Sequence, residues 1–141
     1  MIFDFTIPGE PKGKGRPRAT TINGRVRTYT PEATASYENL VKVSFMQACK
    51  GAEPIAKDKP VCARITAYFS IPQSASKKKQ ADMEEGSIKH THKVDADNIA
   101  KICLDALNKL AYYDDAQICE LHVKKLYSTS PRVEIQISEV E

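Results

Sequence analysis

Residues 61–71 read VCARITAYFSI, and the apolar side chains of this stretch recur at every second position. Successive side chains of a β-strand point to opposite faces, so the pattern predicts a long strand with one strongly apolar face. Such a face is stable only when another layer covers it. The stretch therefore predicts a sheet with helices packed on it.

The chain before this strand predicts a short strand, a basic loop, a hairpin and a helix. Residues 2–7 have strand character, and the glycines and prolines of residues 8–18 exclude a helix there. Asn23-Gly24 lies between two short β-type runs, which is typical of a type I′ hairpin. Thr30 and Pro31 predict an N-cap and first turn for a helix over 31–49. Its expected buried stripe is Ala33, Tyr37, Leu40, Val41, Ser44 and Ala48.

The chain after the long strand predicts a polar insertion, a second main helix and two closing strands. Residues 72–90 are polar, and we expect a mobile segment with a short helix over 76–85. An apolar period of 3.6 predicts a helix over 97–110, with Asp97 at or near its N-cap. The strands 117–127 and 132–140, joined by a turn, favour an antiparallel hairpin.

These elements together predict the fold class. We expect an α/β (α+β) fold that forms one domain over residues 1–141. Its mixed sheet should have about four to five strands, with two main helices packed on it.

Composition restricts the function classes. The chain has 141 residues, of which 41% are hydrophobic and 28% are charged, as in soluble globular proteins. No apolar run approaches the roughly 20 residues of a membrane helix, and no signal peptide is visible. The four cysteines contain no Cys-x-x-Cys pair, so we expect buried free thiols. These features predict a cytoplasmic protein that does not associate with membranes.

The basic residues are concentrated at the N-terminal end. The net charge is only +3, yet residues 1–30 contain six lysines and arginines against Asp4 and Glu10. Such a segment suits a polyanionic partner, whereas the lysine run 77–79 is more typical of a solubilising surface. The predicted nucleic-acid-binding residues are Lys12, Lys14, Arg16, Arg18, Arg25 and Arg27.

A carboxylate cluster marks the second main helix. Asp95 and Asp97 are expected to leave a strand end on one side, Lys101 follows one helical turn later, and Asp114-Asp115 returns before the next strand. Clustered carboxylates repel each other unless a cation neutralises them, which favours a divalent metal site. The alternative is structural, with Asp97 as a helix cap, Lys101 on a solvated face and Asp114-Asp115 in a turn.

The motifs of this region resemble those of the RusA-type Holliday junction resolvases. The family signature is Asp-x-Asp-Asn, a lysine, Asp-Ala-Leu and Asp-Asp-x-Gln, which correspond here to residues 95–98, Lys101, 105–107 and 114–117. The segments 7–11 and 14–18 resemble the form common in phage-derived members. The likeness therefore spans most of the chain.

The resemblance implies a function and a set of site residues. It implies that Asp95, Asp97 and Asp115 bind the metal and that Lys101 is the catalytic cation, while the role of Asp114 stays open. It implies a RusA-like fold and a homodimer whose cleavage activity requires Mg²⁺, with Mn²⁺ as the alternative. This homodimer would nick two opposed strands of branched DNA, a four-way junction, in recombination and repair.

Two other functions stay open at this point. His90 and His92, beside the two aspartates, would suit a zinc hydrolase, although no third histidine follows at ligand spacing. A DNA-binding module without chemistry would use the basic loop alone, and its acids would be structural. Cleavage that requires a metal distinguishes an enzyme from such a module.

Overall fold

A computed structural model describes residues 2–141, in which a four-stranded mixed sheet carries helices on one face. A separate two-stranded hairpin extends from the sheet. The elements are β1 (Ile2–Pro8), β2 (Arg18–Ile22), β3 (Arg25–Tyr29), α1 (Glu32–Ala48), β4 (Val61–Ser70), α2 (Lys77–Glu85), α3 (Ala96–Ala106), a short 3-10 turn (Asp115–Gln117), β5 (Ile118–Ser128) and β6 (Arg132–Glu139). The predicted α+β fold class is confirmed.

Strand β4 lies inside the sheet, whose order is β1-β6-β4-β5. Its alternating residues from Val61 to Phe69 are buried, as the sequence period predicts. It pairs with β5 in parallel and with β6 antiparallel. The prediction that the closing strands form a hairpin is therefore wrong, because β4 lies between β5 and β6.

Helices α1 and α3 cover the apolar face of the sheet and contact each other. The α1 bounds agree with the prediction to one residue at each end, but Pro31, not Thr30, occupies the N-cap. The buried stripe is wrong at its ends, since Ala33 and Ala48 are exposed while Thr34 and Phe45 are buried. Phe45 packs edge-on against two rings of β1, which a local period cannot reveal.

Helix α3 begins one residue earlier and ends four residues sooner than the sequence predicts. Its N-cap is Asp95 and Asp97 is the second residue of the helix, which agrees with the prediction that Asp97 lies at or near the N-cap. Residues 86–94 before it contain no strand, which overturns the expectation that the two acids leave a strand end. After the helix, Lys109 has a positive φ of 68°, and the hydroxyl of Tyr112 donates to the carbonyl of Leu104 at 2.6 Å. This turn replaces the predicted last helical turn.

The polar insertion contains α2, whose bounds agree closely with the predicted short helix. The Ser76 hydroxyl accepts a hydrogen bond from the amide of Lys79, and Gly86 ends the helix in the left-handed region. Met83 is buried in the core, and the Glu84 carboxylate accepts from the amide of Thr129. The mobility of the insertion stays a prediction.

Two further features concern the whole described chain. No helix of residues 2–141 is long and apolar enough to cross a membrane. All four cysteines are free, as predicted, but only Cys62 and Cys103 are buried, and Cys119 is exposed. Burial raises the pKa of the Cys103 thiol to about 12.

Candidate active site

One face of helix α3 presents an alternation of acid and base. Asp97, Lys101 and Asp105 recur every four residues and lie along one side of the helix. The opposite side is anchored in the core by residues such as Ile99, Ile102 and Cys103. The polar stripe is therefore held on a rigid element.

The first turn of α3 leaves two carboxylates uncommitted. Asp95 occupies the N-cap, yet its side chain makes no capping hydrogen bond. Asp95 and Asp97 are both exposed. Within residues 2–141 neither forms an ion pair. The N-cap is Asp95, so the interpretation of Asp97 as the helix cap is wrong.

Asp105 is the charge hub of the stripe, and sequence reasoning left it out of the site. Its Oδ2 lies 3.3 Å from the Nζ of Lys101 and 3.3 Å from the Nζ of Lys14. The side chain of Lys101 is 60% exposed, so its ammonium group can still reach a phosphate. A signal for Asp105 was available, because it follows Lys101 by one helical turn.

Asp115 faces this hub from the turn before β5. Its amide donates to the Oδ1 of Asn108 at 2.8 Å, which ties the turn to the end of α3. The pKa of Asp115 is raised above its ordinary value by burial first, and then by the neighbouring carboxyls of Asp114 and Asp105. A bound cation would relieve this crowding of like charges.

Asp114 and Gln117 build the turn that presents Asp115. The Asp114 carboxylate accepts from the amide of Ala116 at 3.0 Å, and the side-chain oxygen of Gln117 accepts from the amide of Asp114 at 3.1 Å. The side-chain amide of Gln117 donates to the carbonyl of Ala56 at 2.8 Å. The Ala116 hydrogen bond and then one from Asp115 lower the pKa of Asp114. This capping box gives Asp114 a structural role in the paired motif.

The basic loop packs against the start of α3. The amide of Lys14 donates to the carbonyl of Asn98 at 3.1 Å. A Cβ on Gly13 would lie 2.2 Å from Val94 Cγ1, so glycine permits this close approach. The approach brings the loop beside the uncommitted acids of α3.

Lys14 itself is turned inward. Its Nζ lies 3.1 Å from Glu38 and 3.3 Å from Asp105. Burial acts to lower the pKa of Lys14, but these two carboxylates outweigh it and raise the pKa. Lys14 therefore links α1, the basic loop and α3, and its predicted contact with nucleic acid competes with this structural role.

The hairpin β2–β3 gathers three of the predicted DNA-contacting arginines on one face. Cross-strand partners share a face, and Arg18 pairs with Tyr29, Thr20 with Arg27 and Ile22 with Arg25. Every residue of both strands is exposed, and so are Lys12 and Arg16. Both hairpin turn residues, Asn23 and Gly24, have positive φ as a type I′ turn requires.

The two histidines do not assemble the alternative zinc site. The His90 ring stacks on Phe69 with centroids 3.6 Å apart, and its Nδ1 is buried without a hydrogen-bond partner in the described structure. Burial first, then Lys125 and His92, lower the pKa of His90 to about 4. Neither histidine belongs to a group of three ligand side chains with ligand atoms within 4.8 Å of one another in residues 2–141.

The three predicted metal ligands are not gathered that closely either. Asp95, Asp97 and Asp115 form no group within that same distance in the described chain. Asp97 and Asp115 are instead connected through the hub, because Asp105 shares the α3 stripe with the first and faces the second. Their convergence on one metal stays a prediction.

Comparison with known proteins assigns the family. A family model described as Endodeoxyribonuclease RusA matches residues 8–138. The chain belongs to the RusA family. The matched range of this RusA family member includes the basic loop, the hairpin, the α3 stripe and the Asp115 turn.

Two relatives align with this RusA family member over almost their whole lengths. It is 40% identical over 138 residues to the uncharacterized protein YqaN of Bacillus subtilis (strain 168). This alignment covers 96% of this chain and 95% of YqaN. It is 30% identical over 139 residues to a protein of Lactococcus phage r1t named Crossover junction endodeoxyribonuclease rusA. This alignment covers 98% of this chain and 97% of the phage protein. The resemblance drawn from the motifs is thereby confirmed.

Proposed function

We propose that this chain is a metal-dependent endodeoxyribonuclease that resolves four-way DNA junctions during recombination and repair. Hydrolysis would add water across one phosphodiester bond in each of two opposed strands. The α3 stripe of Asp97, Lys101 and Asp105, next to the crowded carboxylate of Asp115, supports this function most directly. The name of the phage relative supports the branched substrate.

The donor set fits a hard divalent cation. Asp95, Asp97 and Asp115 would hold it through carboxylate oxygens, which Mg²⁺ prefers and Mn²⁺ accepts. When bound, the metal would polarise a phosphoryl oxygen and lower the pKa of its water. Rotation of the exposed side chains of Asp95 and Asp97 towards Asp115 is part of this proposal.

Lys101 would supply positive charge during hydrolysis. Its mostly exposed ammonium is oriented by Asp105 at 3.3 Å, so it is held near the carboxylates while it still reaches solvent. A cation in this position offsets negative charge that develops on the phosphoryl oxygens. Asp105 is then a positioning residue and Lys101 a catalytic one.

The exposed arginine face of the hairpin would hold the DNA arms. Arg18, Arg25 and Arg27 share that face with Tyr29, and they need no movement to meet a phosphate backbone. Phosphate contacts give affinity and orientation without sequence readout. Such contacts suit an enzyme that recognises the shape of a junction.

A homodimer would supply the second cut. Two equivalent sites related by a two-fold axis match the approximate symmetry of a four-way junction, and a closed dimer provides them from one gene product. Each protomer would contribute one carboxylate site and one basic hairpin.

The direct test compares synthetic substrates. We expect purified protein with Mg²⁺ to cut a four-way junction in two opposed strands, and to cut linear duplex of the same arm sequence far more slowly. Without metal, binding should remain and cleavage should stop. Binding to the junction without cleavage in Mg²⁺ or Mn²⁺ would favour the DNA-binding module instead.

A further inference from the structure

A cluster of side chains of the types that can bind a metal lies on the face of the sheet opposite the helices. Cys62 of β4 and Glu120 and His122 of β5 have ligand atoms that all lie within 4.8 Å of one another. In the register of the sheet, Cys62 pairs with Glu120 and Arg64 pairs with His122, so these side chains share a face. This face is not the one covered by α1 and α3.

A break in the strand register produces this arrangement. Val61 pairs with Ile118, whereas Cys62 already pairs with Glu120, so Cys119 is the extra residue of a bulge. Without the bulge, Cys119 and Leu121 would stand beside Cys62 and Arg64, and the glutamate and histidine would point to the helix side. The bulge therefore selects a thiol, a carboxylate and an imidazole for one face.

We propose that Cys62, Glu120 and His122 bind a zinc-like divalent cation, with water as the fourth ligand. Zn²⁺ sites with three protein ligands keep a fourth position open, and those ligands are drawn from cysteine sulfur, histidine nitrogen and carboxylate oxygen. Mg²⁺ avoids thiolates, so this donor set does not suit the cation proposed for the active site.

The surroundings suit a partly open site. Cys62 is only 5% exposed while Glu120 and His122 are exposed, so the thiol forms the floor and the other two ligands the rim. Burial first and then Glu120 raise the pKa of the Cys62 thiol, while the guanidinium of Arg64 acts to lower it, so a bound metal would have to displace the thiol proton.

A cation here would connect the start of β4 to the start of β5. Strand β5 begins directly after the 3-10 turn that presents Asp115, so the site would anchor this strand close to the candidate active site. A cation that binds the folded chain and not the unfolded chain should raise the midpoint of thermal unfolding. Metal binding at this site and its effect on stability can be measured whether or not the protein has the proposed nuclease activity.

Cobalt substitution tests the site on the full chain. We expect metal-stripped protein to bind Co²⁺ at this site with a thiolate-to-cobalt absorption band in the near ultraviolet, and Zn²⁺ to abolish the band by displacing the cobalt. His122→Asn and Glu120→Gln, both at exposed positions, should weaken Zn²⁺ binding by more than about 100-fold, since even outer-shell changes cost 10- to 100-fold. Cys62→Ser should abolish the band.

Two control variants make the assignment specific. Cys119→Ser removes the neighbouring exposed thiol, and Asp97→Asn removes an active-site acid, and both proteins should keep the band and the Zn²⁺ affinity. An excess of Mg²⁺ should not displace the cobalt. Wild-type protein without a thiolate band, or a band that survives His122→Asn and disappears in Cys119→Ser, would overturn the proposal.

Discussion

Adjacent aspartates in the Tyr-Asp-Asp-Ala-Gln motif have opposite environments. Asp114 is exposed and its carboxylate caps the turn, which lowers its pKa, whereas partial burial first, and then the neighbouring carboxylates, raise the pKa of Asp115. Asp114 therefore shapes the turn, and Asp115 remains as the acid that can meet a cation. Sequence spacing alone could not separate these two roles, because the two residues are adjacent in the same motif.

The ammonium of Lys101 should matter for the rate of cleavage and not for the fold. Lys101→Ala removes an exposed cation, so we expect turnover on a four-way junction to fall by about 10² or more, with an unchanged midpoint of unfolding. Single-turnover cleavage at saturating enzyme measures this. Lys78→Ala, a change at an exposed lysine on α2, is the control and should cut normally. A Lys101→Ala protein with normal turnover would return this residue to the solvated surface.

His90 should make folding stability depend on pH. Its pKa is about 4 in the folded protein against an ordinary value of 6.5, so the unfolded chain binds the extra proton between these values. Its contribution to stability is complete above about pH 6.5 and should be lost as the pH falls towards about 4.

Urea unfolding of wild type and His90→Phe across this range checks the effect. Phenylalanine retains a ring to stack on Phe69 and cannot take up a proton, so this variant should lose less stability on acidification. Above pH 7 the difference between the two proteins should be constant. Parallel pH profiles from pH 7 to 4 would contradict the assignment.

At the scale of elements, local patterns predicted local structure well. The alternation of β4 and the Asn23-Gly24 turn depend on neighbouring residues, and both agree with the structure. The pairing of β5 and β6 with β4 between them, and the contact of Asp105 with Lys14, join residues far apart in sequence. Such contacts are decided by packing and hydrogen bonds that periodicity does not encode, and so the hub of the site was missed.

The hairpin should act as an electrostatic element. Its three arginines lie on one exposed face, so binding to a junction should weaken as salt rises, with a log-log slope of about −0.9 per neutralised phosphate. We expect Arg18→Ala and Arg27→Ala each to reduce this slope by about one phosphate, whereas Lys78→Ala should leave it unchanged. Fluorescence anisotropy over a salt series measures the slopes. Equal slopes for all four proteins would remove the hairpin from the interface.

At the scale of the whole molecule, paired cutting requires two sites. We expect light scattering at assay concentrations to give the mass of a dimer, and both opposed strands of one junction to be cut within one binding event. A heterodimer of one wild-type protomer and one Asp97→Asn protomer should then nick only one of the two strands. A monomer that still cuts both strands together would refute the two-fold arrangement.

We propose that the acids of α3 hold the cation through which DNA is hydrolysed and do not merely support the fold. Asp97→Asn removes one ligand and one negative charge near the phosphates, while Asp4→Asn makes the same change at an exposed position of β1. The decisive measurement is cleavage and binding of a four-way junction by both variants in Mg²⁺. We expect Asp97→Asn to bind at least as tightly as wild type and to cut below detection, and Asp4→Asn to do both normally. Normal cleavage by Asp97→Asn, or loss of its binding together with its cleavage, would show that Asp97 does not bind a catalytic cation.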